Sequence, residues 1–193
     1  MKCLVVLAHP QTSSLCHYLG DETIKHLTSK GYDVEVLDLY KQCFDPVLNL
    51  QERESYYKET FDVSSVASDI EQLKNAESLV LIFPTWWFGF PAILKGWFDR
   101  VWAPGHAYDH ADDLGAIKPR LHNLKEVKVV TMLGSPWWVD KFVLWQPVKR
   151  ILRIALLGAC TKNCRFTMLS LYKSEDVSKE RAKQFVEKIK TTF

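Results

Sequence analysis

Apolar and polar positions along the chain fall into two alternating rhythms. Residues 2–8 (KCLVVLA) form a nearly unbroken apolar run ending at His9-Pro10, the pattern of a strand buried on both faces of a parallel sheet. Behind it Leu15, Leu19, Ile24 and Leu27 recur at helical spacing, with Ser13 or Ser14 placed to cap the start and Gly31 to stop the end. The same reading predicts further strands over 33–39, 78–83, 126–133 and 165–172. It predicts helices over 62–75, 91–102, 139–157 and 175–190, the second opening on a proline in its first turn.

Strands that alternate with helices require crossover connections, and right-handed crossovers leave few arrangements for five strands. The expectation is one α/β domain over residues 1–193 with a doubly wound parallel sheet. Such sheets bind ligands at the strand carboxyl ends where the winding reverses, which selects the loops 9–16, 84–90 and 133–138.

Composition narrows the partners. A formal net charge of +2 with both signs interspersed provides no block able to grip a nucleic-acid backbone. The opening apolar run is too short for a secretion signal or a membrane span, so a cytoplasmic, soluble protein without membrane insertion is expected. Five cysteines, an odd number, read as free thiols; Cys160 and Cys164 lack CxxC spacing and a nearby His-rich partner motif, and no metal site is expected.

The first loop, His9-Pro10-Gln11-Thr12-Ser13-Ser14, places hydroxyls and free peptide N–H groups at a helix start, where phosphate is favoured. Plain capping by the serines is an equal alternative. Neither GxGxxG nor GxxxxGK[ST] occurs, so a dinucleotide Rossmann loop and a P-loop are unsupported. The second loop, PTWWFGFP over 84–91, crowds four large rings into a strand-to-helix connection, which suits packing on a flat conjugated ligand.

The stretch PTWWFGFPAILKGWFDRVWAPGHAY, together with LVVLAHPQTSSLCHYL, resembles the NAD(P)H:quinone oxidoreductase family, and the likeness covers essentially the whole chain. The resemblance implies a flavodoxin-like sheet of order 2-1-3-4-5 with helices on both faces. It also implies a tightly bound flavin, FAD or FMN, with NADH or NADPH as co-substrate, and ping-pong two-electron reduction of quinones or other aromatic acceptors. Flavin-phosphate contacts carry over to His9, Ser14, Leu15 and Cys16, the last standing where Asn is common. Ring contacts carry over to Pro84, Thr85, Trp86, Trp87, Phe88 and Gly89. The third loop, normally Thr-Thr-Gly-Gly, reads here Met132, Leu133, Gly134 and Ser135, and Trp137 and Trp138 replace the Tyr and His that follow it in DT-diaphorase-like members. Tyr108 and His110 match positions lining the acceptor pocket, with His110 a candidate proton donor. Peptide N–H groups around Gly89 and Gly134 are expected to face the ring.

A homodimer is implied by the same likeness, with the Ile93, Leu94, Trp97, Phe98 and Val101 stripe as a candidate interface; core packing suits that spacing equally. Two other readings stay open: a flavodoxin-type electron carrier, and a regulatory flavin- and nicotinamide-binding subunit of a membrane potassium efflux system.

Overall fold

The computed structural model describes residues 1–58, 60–111 and 115–193. Five parallel strands, β1 (Lys2–Leu7), β2 (Asp33–Asp38), β3 (Ser78–Pro84), β4 (Glu126–Leu133) and β5 (Arg165–Tyr172), form one sheet in the order β2-β1-β3-β4-β5, as expected. Alternation along the central strands divides the core into two layers. Leu4, Val6, Leu79, Leu81, Val127 and Val129 lie on one face, under α3 (Ala67–Asn75) and α4 (Ala92–Val101). Cys3, Val5, Leu7, Val80, Ile82 and Val130 lie on the other, under α1 (Leu15–Ser29) and the closing helix α7 (Lys179–Thr192). Strands covered on both faces need apolar residues at every position, which is why β1 and β3 read as continuous runs.

The helix boundaries differ from the sequence expectation in four places, one being the closing helix, expected over 175–190 and found at Lys179–Thr192 behind the Ser178 cap. The 62–75 helix begins only at Ala67, because Asp62 accepts the peptide N–H of Ser64 at 2.9 Å and holds a turn instead. An additional helix, α2 (Leu50–Ser55), precedes it, closed by a capping box in which Asn49 accepts from the Glu52 N–H and the Glu52 carboxylate accepts from the Asn49 N–H. The continuous helix expected over 139–157 is broken. A π turn at Val139–Val143 ends in Trp145 and Gln146, both left-handed at φ 59° and 51°. Pro147, which has no N–H and bars the residue before it from the right-handed helix, restarts the chain as α5 (Pro147–Arg150). A second π turn, Ile151–Leu156, and α6 (Leu157–Cys160) follow.

The stripe considered as a dimer interface is core: Ile93, Leu94, Trp97, Phe98 and Val101 are all buried under the sheet. One group of exposed apolar side chains lies on and just before the broken helix, at Trp137, Phe142, Trp145, Ile151 and Ile154.

One buried ion pair ties the long β2-to-α3 connection to α4. Arg100 donates from Nε to both Glu52 oxygens at 3.0 Å, from Nη2 to Oε1 at 2.5 Å, and from Nη1 to the Asp45 carbonyl at 2.5 Å. Gly96, one turn earlier on α4, lets the Pro46 backbone approach so closely that a Cβ there would overlap its carbonyl. Removing one member strands a buried charge, so Glu52→Ala lowers stability by about 3–5 kcal/mol. Urea unfolding checks this as a lower midpoint at unchanged slope.

Candidate functional site

The three loops chosen from the sequence emerge from β1, β3 and β4, which are adjacent in the sheet. In the first, Ser14 has extended backbone, accepts the His17 N–H at 3.3 Å and caps α1. The peptide N–H groups of Leu15 and Cys16 have no partner among the described residues and point out of the helix start. The Cys16 side chain does not share that role: it is 1% exposed, packed in the core, and burial pushes its thiol up to about 12. The polar contact expected of it is therefore available only from its backbone. His9 Nδ1 lies 3.1 Å from the Gln11 peptide nitrogen and 3.2 Å from the Gln11 carbonyl, which ties the ring to the loop, and burial holds its pKa below the ordinary histidine value.

In the second loop the Gly89 N–H donates to the Trp86 carbonyl at 3.0 Å and closes a two-residue turn. Both central residues are left-handed, Trp87 at φ 51° and Phe88 at φ 56°, as in a type I′ turn. Glycine or asparagine normally fills such positions, and each bulky residue there costs about 1–2 kcal/mol. The N–H of Gly89 is thus spent on the turn, and the N–H groups around it without a partner among the described residues are those of Trp87 and Phe88. The Trp87 side chain is fully exposed, and Trp86 lies with its ring 6.1 Å from that of His9, joining the first two loops.

Pro84 and Thr85 fix the second loop to the third. Thr85 donates its N–H to the Met132 carbonyl at 2.8 Å, and its hydroxyl lies 3.2 Å from the same oxygen and 3.1 Å from Thr131 Oγ1. Met132 and Leu133 are each only 4% exposed, so the side chains at these positions belong to the core. Gly134 is open to solvent except where the Glu175 carboxylate lies against it. Ser135 Oγ is buried without a hydrogen-bond partner among the described residues. Trp137 and Trp138, both half exposed, stand next to it, with Phe142 against Trp137 at 5.7 Å.

Tyr108 and His110 belong to a second cluster. The Tyr108 hydroxyl lies 2.7 Å from that of Tyr56, and His110 Nε2 lies 3.1 Å from the Tyr56 carbonyl. A carbonyl only accepts, so Nε2 carries the hydrogen and Nδ1 is the atom free to take or pass a proton. Burial, reinforced by Tyr56, pushes the Tyr108 phenol well above its usual range and keeps it protonated. A cavity of about 310 Å³ adjoins this cluster, lined by Tyr56, Phe90, Phe98, Trp102, Tyr108 and Cys160. Phe90, at the end of the aromatic loop, lines this cavity and is the link between the two sites. No hydrogen bond or ring contact among the described residues joins Tyr108 or His110 to the three loops themselves. Sequence reasoning missed Tyr56 and Tyr57, whose rings flank His110 at 5.9 and 4.9 Å; the Asn49-to-Glu52 capping pattern that places them was visible. A larger groove of about 520 Å³, lined by Lys2, Asp33, Glu35, Glu71 and Asn75 among others, opens at the amino ends of β1 and β2, away from all of these groups.

The fold is that of the flavodoxin-like class, and a family model described as a flavodoxin-like fold matches residues 1–191. NAD(P)H dehydrogenase (quinone) 1 of Cavia porcellus is 33% identical over 150 residues, covering 69% of this chain and 54% of the relative. An uncharacterized NAD(P)H oxidoreductase of Haemophilus influenzae is 30% identical over 149 residues, covering 74% of this chain and 68% of the relative. The crystal structure of NAD(P)H:quinone oxidoreductase from Methanothermobacter marburgensis superposes with a TM-score of 0.84 at 25% identity, covering 99% of this chain and 96% of that one. The chain belongs to the NAD(P)H:quinone oxidoreductase family. It spans about half the length of the Cavia porcellus relative.

Two outcomes follow from the site's local chemistry. Trp87→Gly relieves a left-handed tryptophan whose side chain is fully exposed, so it raises stability by about 1 kcal/mol at most, read as a higher denaturation midpoint; a lower midpoint would contradict the strained turn. Burial pushes Cys3 and Cys164 up to about 11 and Cys16 and Cys160 to about 12, whereas Cys43 is exposed. Titration of the native protein with a disulfide reagent at about pH 8 therefore releases one fast equivalent, at Cys43.

Proposed function

We propose that the three loops bind a flavin and that the protein uses NADH or NADPH to reduce quinones, or related aromatic acceptors, by two electrons. The observation that carries this reading is the Trp86-to-Gly89 turn, where two left-handed aromatic residues are held at a cost on the carboxyl edge of the sheet. Strain of that kind persists where a ligand repays it. The partnerless Ser135 hydroxyl and the open N–H groups of Leu15, Cys16, Trp87 and Phe88 add donors on the same edge, so the residues present fit a flavin.

In this arrangement His9, Ser14 and the N–H groups of Leu15 and Cys16 hold the flavin phosphate at the start of α1. Pro84 and Thr85 set the height of the aromatic turn, while Trp86, Trp87, Phe88 and Gly89 shape one side of the ring site. Gly134 and Ser135, at the end of the Met132-Leu133 segment, serve its polar edge. Trp137 and Trp138 offer a wall on which a nicotinamide or quinone stacks. Tyr108, kept protonated, donates a hydrogen bond to an acceptor oxygen, and His110 holds or delivers a proton from Nδ1. When bound, the flavin supplies the two-electron chemistry between nicotinamide and quinone. One open face serves both partners, so turnover is ping-pong. The exposed Trp137, Phe142, Trp145, Ile151 and Ile154 surface pairs two copies into a homodimer, which also covers rings otherwise left in water.

The test is a visible spectrum of the protein reconstituted with FMN or FAD. Anaerobic NADPH bleaches the flavin band, a benzoquinone restores it, and initial rates against both substrates give parallel double-reciprocal lines. Trp87→Gly weakens flavin retention about tenfold or more. A protein that takes up no flavin would remove the reading, and intersecting lines would remove the shared face.

A further inference from the structure

Behind the first loop lies a row of three side chains that the proposed function has not yet used. His17, on the first turn of α1, is 9% exposed. Its Nε2 lies 3.1 Å from Asp38 Oδ2 at the end of β2, and its Nδ1 lies 3.2 Å from Ser14 Oγ. The other Asp38 oxygen accepts the Lys41 N–H at 3.1 Å, which fixes the carboxylate in place. Ser14 Oγ also accepts the His17 peptide N–H at 3.3 Å.

Counting hydrogens shows what this row does. An ionised carboxylate only accepts, so Nε2 carries a hydrogen toward Asp38. In the neutral ring Nδ1 is then bare, takes the Ser14 hydroxyl hydrogen, and leaves Ser14 facing the loop with a lone pair. An anion placed there meets that lone pair. In the imidazolium, Nδ1 donates to Ser14 Oγ, both serine lone pairs are filled, and the hydroxyl hydrogen turns outward to an incoming oxygen. The positive ring also lies behind a helix start, where it adds to the attraction for an anion.

We infer that His17, braced by Asp38, is a positioning residue for the flavin phosphate: its protonation aims the Ser14 hydroxyl outward, so phosphate binding draws about one proton onto the ring. This rests on the flavin reading above and adds to it a residue that touches no ligand. The titratable groups beside the ring are Asp38, from the end of β2, His9, whose ring centroid is 6.3 Å away in the first loop, and Cys16, the preceding helix residue. Asp21 lies one turn further along α1. Of the charged groups of α7, Lys179 and Lys183 line one cavity with Ser13, Ser14 and Tyr18, while Lys190 and Glu187 act on Glu22 and His26 further along α1. Asp38 is thus the only carboxylate bonded to the ring among the described residues.

The experiment compares FMN with riboflavin, which has the same ring and no phosphate, by fluorescence titration between about pH 6 and about pH 8, the range in which histidine loses its proton. The FMN-to-riboflavin affinity ratio falls as pH rises, by up to about tenfold per unit. The second ionisation of phosphate adds negative charge over the same range and acts in the opposite sense, so it cannot produce the fall. Calorimetry of FMN binding in two buffers of different ionisation enthalpy shows net proton uptake. His17→Phe abolishes the fall and the uptake while leaving riboflavin affinity in place. A ratio that is flat or rises with pH in the unmodified protein would overturn the inference while leaving flavin binding intact. Failure of both FMN and riboflavin to bind at any pH would overturn it together with the flavin reading.

Discussion

Thr85 donates its peptide hydrogen to the Met132 carbonyl one residue beyond Pro84, and this rung determines where the carboxyl edge of the sheet can carry chemistry. Proline closes the β3 ladder on its own N–H side, yet Thr85 extends the pairing with β4 through both its backbone and its hydroxyl. The chain is therefore rigid up to the residue before Trp86. The aromatic turn then has no slack in which to relax, and its two left-handed residues stay as they are. Loosening this rung would let the turn drift toward a relaxed shape and would separate it from the Gly134-Ser135 segment on the neighbouring strand.

A comparable arrangement supports the third loop. The buried Asp140 accepts from the Tyr172 hydroxyl at 2.8 Å, and its own carbonyl accepts the Gln146 N–H at 2.8 Å. Burial and the Asp140 contact push the Tyr172 phenol up to about 12, so it remains a donor at any physiological pH. The π turn and the left-handed Trp145-Gln146 pair thus hang from the end of β5 and keep Trp137 and Trp138 at the edge of the site. Far from it, at the amino end of the sheet, buried Lys128 is neutralised by Glu126, which also accepts from Tyr32 and Ser78 at 3.0 Å. The two ends of the same strands are built to different purposes, one closed by matched charge and the other left with open donors.

The sheet was legible because its strands are covered on both faces and so advertise themselves as apolar runs; β1, β3 and β4 needed no partner information to be recognised. The loops were legible as positions, since strand order alone selects them. Their internal chemistry was not. In PTWWFGFP the left-handed conformation falls on Trp87 and Phe88 and not on Gly89, a choice that tertiary pairing makes against local preference. Cys16, Met132 and Leu133 stand at motif positions, yet their side chains face the core, and only their placement on the last rungs of β4 and the first turn of α1 brings their backbone to the edge. The break at Trp145-Gln146 was signalled by Pro147, but the apolar spacing across it imitates a continuous helix. Arg100 and Glu52, 48 residues apart, carry no local signature of their pairing.

Hydrogen exchange read by mass spectrometry, with and without saturating FMN, tests most directly whether the carboxyl edge is the ligand site. Added protection is expected only in residues 9–18, 84–90 and 132–138, with the amino-end groove around Lys2, Glu35 and Glu71 unchanged. Protection at that groove with none in the three loops would contradict it.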